Sequence, residues 1–470
     1  METDSEKSSS LVISGLLISW LSVGMVATLF GYLGMLNIVV ASSVTIPILL
    51  CIGVGIWKIR NIAAYSWVEK LLCYTLLAIL LLHFIGVLVP EHGFDALWYH
   101  LPVIQAVSET GGFIYLPELY QSVNPQFTDI LFTLGYMLFG EIGAKLVSFF
   151  LMLTLIEITV LFCRKYVERS WACLLGCTIA VFQVVAWQSA SVYVDVAKAL
   201  WECGALYVLV SLAENSSQKT KNIYISSILF GLLYGASLAT KLFSLVLLPL
   251  FVYLQWRVTR RTQAVALSLV CALLVATPYY FFSWKMTGNP FISLDMHALK
   301  GSELIGTMSW LAYGWDRLLT FAWAPVAASF LVRDYTTPYF LFAFLYLLFV
   351  MLRSKKTQIW YVAGIFSIVQ LLLWWVIPPL STRYALSGFI VTIVFSSIHF
   401  IQSSKVQLIR KWVFLSMCLC VAVLLLPRLV TAQRDLQFVL GAQSKEQYLS
   451  QFLDGNIDQY LLKWHAAQKY

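Results

Sequence analysis

The sequence predicts an all-α, polytopic transmembrane protein of about 13 spans, and three observations carry that reading. Of 470 residues, 60% are hydrophobic and 15% aromatic but only 11% are charged. Ordinary soluble domains carry about 25% charged residues. Mean hydropathy is +0.80. Finally, apolar runs of bilayer-crossing length alternate with short basic clusters. This composition excludes disordered, coiled-coil and disulfide-scaffold classes. The formal net charge of +8 does not point to nucleic acid, because the basic residues are scattered between apolar runs instead of gathering on one water-facing surface.

The expected spans are 11–32, 37–57, 68–90, 144–163, 171–190, 197–213, 224–240, 242–256, 263–284, 339–352, 358–377, 384–403 and 412–427. The first lacks a basic leader and a small-residue cleavage site, so it reads as a retained helix. Orientation follows from Lys and Arg in short loops. Lys58 and Arg60, Arg164, Lys165 and Arg169, Lys219 and Lys221, and Arg257, Arg260 and Arg261 fall on one side. Arg353, Lys355, Lys356, Lys405, Arg410 and Lys411 join them, as do Lys7 and Lys70. That side is expected to be cytoplasmic. The opposite face receives 91–143, 285–338, 378–383 and the tail 428–470, which hold most of the acids.

Within the outer segments, 97–109 and 126–139 read as amphipathic helices lying in the membrane interface. Tyr448, Leu449, Phe452, Leu453, Ile457, Tyr460 and Leu461 recur at helical spacing and suggest a small helical cap. The chain then divides into two additional N-terminal helices (1–67), a transmembrane core (68–427) with its two large outer loops, and an outer tail (428–470). All nine cysteines lie within or at the ends of apolar runs, so no disulfide framework is expected. The sequon Asn215-Ser216-Ser217 falls on the cytoplasmic side and is discounted as a glycan site.

Ionisable residues at a membrane are costly and are functional suspects. Asp95 and His100 follow the third span, Asp195 stands at the outer end of the fifth, Lys241 ends the seventh, and Arg383 and Tyr384 lie between the eleventh and twelfth. Distant stretches thus bring carboxylates and cations to one depth, where acids can take a proton and cations hold an anion.

Four stretches resemble the GT-C class of integral-membrane glycosyltransferases, which includes protein O-mannosyltransferases and aminoarabinose transferases. They are FDALWYHLP followed by SVNPQFTDILFTLGYMLFG, then YVDVAKALW, then GLLYGASLATKLFSL, and the pair MTGNPFIS and STRYALSG. They run in the family's order from about residue 85 to 400. The resemblance implies transfer of a sugar from a polyprenyl-phosphate carrier to a glycan, lipid or protein acceptor at the outer membrane face. It implies Asp95 as general base and Asp195 as a second acid that orients. Lys241 and Arg383 would grip the carrier phosphate, with Tyr99, His100, Tyr384 and Asn289 also binding substrate. No cofactor is called for, and a divalent metal stays open. A bacterial inner membrane, with the site facing outward, is the expected setting.

The chain departs from the family in two ways. Asp95 is followed by Ala96 where many eukaryotic members have paired acids, and the two N-terminal spans do not map onto the family core. Each residue also has a purely structural reading. Asp95 could be a helix N-cap, and His100 could hydrogen-bond within its loop. Asp195 and Lys198 could be a local ion pair, and Lys241 and Arg383 could be snorkelling anchors. Glu202 reads as a buried hydrogen-bond partner between helices, and Asn289 with Pro290 as a turn. The competing function is a transporter or flippase, for which an internal repeat and midplane charges are expected; neither is evident.

Overall fold

A computed structural model describes residues 4–60, 65–214, 220–292, 314–353, 358–377 and 380–452. The sequon, the middle of the second large loop and the tail beyond Phe452 lie outside the described residues.

The described chain is helical throughout, in the order α1 (Asp4–Tyr32), α2 (Ile38–Ser42), α3 (Thr45–Arg60), α4 (Trp67–Val87), α5 (Leu101–Thr110) and α6 (Phe127–Cys163). Then come α7 (Arg169–Ala180), α8 (Gln183–Gln188), α9 (Asp195–Glu214), α10 (Thr220–Thr240), α11 (Leu248–Thr259) and α12 (Thr262–Thr287). The last five are α13 (Tyr339–Arg353), α14 (Gln358–Val376), α15 (Leu386–Ser403), α16 (Gln407–Val439) and α17 (Lys445–Ser450). The all-helical expectation is borne out. Among the described residues 10 helical stretches are long and apolar enough to cross a membrane, so the expected count of 13 is not reached.

The three expected spans that fall short are 171–190, which is broken, and 224–240 and 339–352, whose apolar helical stretches, Asn222–Leu238 and Tyr339–Arg353, are shorter; two further expectations are also revised. The expected span 171–190 is broken: α7 stops at Ala180, Val181 and Phe182 turn the chain, and α8 is a six-residue helix. Continuous hydropathy registers burial here, not helical continuity. The segment 126–139 does not lie with one face in an interface. Residues from Phe127 to Gly135 are buried without interruption, and the segment joins the expected fourth span across a kink at Phe139 and Gly140, where Gly140 has φ 60°. The two arms approach so closely that a Cβ on Gly135 would stand 2.3 Å from the Gly143 carbonyl oxygen. Finally, α16 starts at Gln407 and runs through Pro427 to Val439, so the boundary expected at 428 falls inside a helix. Proline removes one backbone bond, which a long apolar helix tolerates.

Helices α6, α9 and α15 form the buried centre. The two N-terminal helices are packed onto it: Trp20 Nε1 donates to Thr154 Oγ1 at 2.9 Å, and Gly24 lies against the Phe127 ring. On the other flank α10 and α12 meet backbone to backbone, with Gly231 and Gly235 facing the Ser268 and Ala272 carbonyls. Small residues permit such contact where no hydrophobic force drives helices together. The start of the expected cap is also present. Helix α17 carries a Ser444–Gln447 capping box, and its Tyr448 and Leu449 pack on Val89 and Leu97 of the first loop.

Candidate active site

Asp95 follows α4 and precedes a widened, π-type helical turn over Ala96–His100 that leads into α5. Such turns displace side chains from regular helical positions and often mark functional sites. Asp95 makes no side-chain capping bond, which removes the N-cap reading. Its Oδ2 instead accepts from Arg383 Nη1 at 2.7 Å, across 288 positions of sequence. The two side chains are 18% and 19% exposed, dry enough for the pair to matter and open enough for a substrate to reach. Arg383 is delivered by the short turn Thr382–Ala385 that opens α15.

A second ion pair lies alongside. Asp195 occupies the first turn of α9, where a carboxylate complements the helix dipole. Its Oδ1 pairs with Lys241 Nζ, and its Oδ2 accepts from Gln188 Nε2 at 2.9 Å. Lys241 stands in extended backbone between α10 and the short turn Leu242–Leu247. Tyr384 links the pairs. Lys241 Nζ is 4.5 Å from its ring centroid, and its hydroxyl accepts from Arg383 Nη2 at 3.2 Å. The ends of α4, α9, α10 and α15 thus bring two acids and two cations to one place.

Around the pairs are groups that hold the first loop. Tyr193 Oη accepts from the Asp95 backbone N–H at 2.9 Å. Burial and the Asp95 charge push its phenol pKa up, so it stays protonated. Tyr99 is raised for the same reasons, burial first and then Asp95, Asp129 and Asp195. His100 Nδ1 meets Asp129 Oδ1 at 2.6 Å and is buried, so it braces the base of the first loop. Glu91 clamps the loop to the stretch after α8. It accepts from Ser191 Oγ at 2.7 Å and from the Gly93 and Val192 N–H groups at 2.8 and 2.9 Å. Burial opposes ionisation of Glu91, but Lys145, His92 and these donors outweigh it and hold its pKa below the usual value.

Lys198 does not pair with Asp195. It bonds Glu202 Oε1 at 2.8 Å and reaches the Tyr384 carbonyl at 3.3 Å. Glu202 also accepts from Ser237 at 3.0 Å, Ser244 at 3.2 Å, Gln370 at 3.2 Å and Ser387. This is the interhelical hydrogen-bond role expected for it.

Beside the cluster opens a cavity of about 640 Å³, bounded by the end of α4, α8, the loop at Arg333–Tyr335, Leu380–Arg383 and α16. Arg383 lines it. Its Nε is buried without a hydrogen-bond partner among the described residues, leaving a donor for an incoming anion.

Of the residues singled out in the sequence, Asp95, Asp195, Lys241, Arg383 and Tyr384 converge, with Tyr99 and His100 on the adjoining turn. Asn289 lies in the turn after α12, where its Oδ1 accepts from Phe291 N–H at 2.8 Å. Gln188, Tyr193, Glu91 and Asp129 were not anticipated. Asp129 and Tyr193 lie within the quoted stretches SVNPQFTDILFTLGYMLFG and YVDVAKALW, and Glu91 lies four residues before Asp95, whereas Gln188 carried no signal of its own. Among the described residues no three His, Cys, Asp or Glu side chains gather as a metal-ligand set.

No protein-family model matches this chain, and no curated protein matches it. Among solved structures it is similar to the crystal structure of ArnT from Cupriavidus metallidurans bound to undecaprenyl phosphate, with a TM-score of 0.54 and 13% identity. The match covers 84% of this chain and 76% of that one. The chain therefore has the GT-C fold that its motifs foreshadow, in an integral, multi-pass membrane protein.

Proposed function

We propose that the protein is a membrane glycosyltransferase that moves a sugar from a polyprenyl-phosphate carrier to an acceptor hydroxyl. The observation that carries this reading is the convergence of the Asp95–Arg383 and Asp195–Lys241 pairs on Tyr384 beside the cavity. It is supported by a fold shared with a protein whose structure holds undecaprenyl phosphate.

The acceptor oxygen attacks the anomeric carbon, and its proton passes to Asp95. The bond from that carbon to the phosphate oxygen breaks, and its electron pair stays on the phosphate. A phosphate leaves without protonation, so the chemistry needs a base and cations but no general acid. Arg383 offers a planar fork and Lys241 a point charge to the departing phosphate. Arg383 is paired with Asp95. When it turns part of its fork to the phosphate, Asp95 is released to accept the proton. Asp195 keeps Lys241 in place, and Tyr384 spaces the two cations. The site is read as facing outward, in a bacterial inner membrane.

The test is glycan and lipid composition of cells lacking the protein, complemented with wild type or Asp95→Asn. The expected result is loss of one envelope sugar and build-up of its polyprenyl-phosphate donor, restored by wild type alone. Proton transfer by a positioned base contributes about 10²–10⁴-fold, so Asp95→Asn should be slower by at least about 10²-fold. Full complementation by Asp95→Asn removes the base assignment. Altered export of a solute with every glycoconjugate intact favours a transporter.

A further inference from the structure

Helix α16 brings Arg428 and Arg434 to the wall of the cavity that Arg383 also lines, and Arg333 enters from the loop before α13. Arg428 is unusual among them. Its Nε and Nη2 atoms are both buried, and neither has a hydrogen-bond partner among the described residues. These two N–H groups lie on one edge of the guanidinium and form the side-on fork that grips two oxygens of a carboxylate or phosphate. A buried donor left unmade costs about 1–3 kcal/mol, so a fork without a protein partner that lines a cavity is well placed to take an anion there.

The neighbouring acids do not fill it. Asp435 is close to Arg428, both facing Gly86 of α4, but its Oδ1 takes the Tyr448 hydroxyl at 2.7 Å. Asp334, also in the cavity wall, accepts from Ser381 Oγ at 2.6 Å. Glu91 is spent on the loop clamp. Arg434 lies over the Phe452 ring at 4.8 Å, and its Nε is also buried without a partner. The cavity volume falls within the range of small-molecule sites, roughly 300–1,000 Å³.

We propose that Arg428, with Arg434 and Arg333, forms a second oxyanion subsite in this cavity, separate from the Arg383–Lys241 grip, and that the acceptor carries the phosphate-class group it binds. The proposal rests on the transferase reading for the identity of the first anion. Two anions need two sets of cations, and two are present: Lys241 and Arg383 are paired with the two acids, and Arg428 and Arg434 line the cavity from α16, with Arg383 also in its wall. The acceptor's anion would anchor it while its hydroxyl is presented to Asp95.

The test uses the full-length protein purified in detergent, as wild type, Arg428→Gln, Arg428→Lys and Arg383→Gln, with thermal unfolding as the folding control. Each is titrated with undecaprenyl phosphate, then with inorganic phosphate in the presence of saturating undecaprenyl phosphate. Wild type is expected to bind inorganic phosphate on top of the lipid. Arg428→Gln should weaken that second binding at least about tenfold, the worth of one charge-assisted fork, and leave the lipid's affinity unchanged. Arg428→Lys, which keeps the charge but loses the fork, should fall between. Weaker lipid binding in Arg428→Gln assigns the subsite to the carrier and overturns the proposal. So does phosphate binding that Arg428→Gln leaves intact. Lipid binding untouched by Arg383→Gln sinks the carrier grip instead, and leaves the second subsite standing if Arg428→Gln still loses phosphate.

Discussion

Two buried charged groups in this bundle are built on opposite terms. Glu202, at the heart of α9, is fully engaged: Lys198, Ser237, Ser244, Gln370 and Ser387 all reach its two oxygens. Arg428, on α16, keeps two buried N–H groups without partners and faces a cavity of about 640 Å³. A satisfied buried network specifies the packing of the helices that supply it. Donors without a protein partner that line a cavity are instead available to a ligand. The Asp95–Arg383 and Asp195–Lys241 pairs stand between these extremes, partnered but partly open.

The largest stability effect should come from breaking the satisfied network. Glu202→Ala strands Lys198, which is 2% exposed in its side chain, and removing one partner of a buried pair costs about 3–5 kcal/mol. Thermal unfolding in detergent should show the full loss for Glu202→Ala and much of it recovered when Lys198→Met is added. If the single variant unfolds like wild type, the network is not structural and the contrast with Arg428 collapses.

A smaller effect tests the close packing that frames the first loop. Gly135→Ala places a methyl where the Gly143 carbonyl oxygen stands 2.3 Å away, and overpacking typically costs about 1–3 kcal/mol. The variant should lower both stability and transfer, because the arm carrying Asp129 and its bond to His100 shifts. Retained stability with lost transfer would instead place Gly135 close to substrate.

The smallest effect is a pH dependence of the loop clamp. Glu91 has a folded pKa below its unfolded value of 4.5. Its stabilisation is therefore complete above that value and lost as pH falls through the folded pKa. Wild type should lose stability on acidification below about pH 4.5 more steeply than Glu91→Gln, measured as the unfolding midpoint against pH. Parallel curves would show that the Ser191 and Val192 contacts do not depend on the carboxylate charge.

Much of the site was legible because its charges sit at the ends of apolar runs, where they are conspicuous. Asp95, Asp195, Lys241, Arg383 and Tyr384 each interrupt or flank such a run and lie in stretches that, taken in order, resemble motifs of one family. What escaped were polar residues whose role depends on how the chain turns to bring a partner alongside, as Gln188 and Asp195 meet across the break after α8. Gln188 reads as an ordinary residue in an apolar stretch until it is seen beside Asp195, and Arg428 as an interfacial anchor after Pro427. Asn289 stood out for its motif, yet its carboxamide closes a local turn.

The same division holds for the helices. The stretches Phe127–Cys163, Asp195–Glu214 and Thr382–Ser403 are 83%, 83% and 89% buried over their apolar windows, whereas Gln407–Val439 is 17% buried. Their hydropathies do not rank them that way, because lipid and protein core are equally apolar solvents for a side chain. Composition and hydropathy by themselves therefore determined that this chain is helical and crosses a membrane many times, since only helices satisfy the backbone there without help. Tertiary structure alone decided which helices are central, where an apolar run breaks, which acid meets which cation, and which arginine is left with an empty fork. Those outcomes depend on distances between residues far apart in the chain, and no local pattern encodes them.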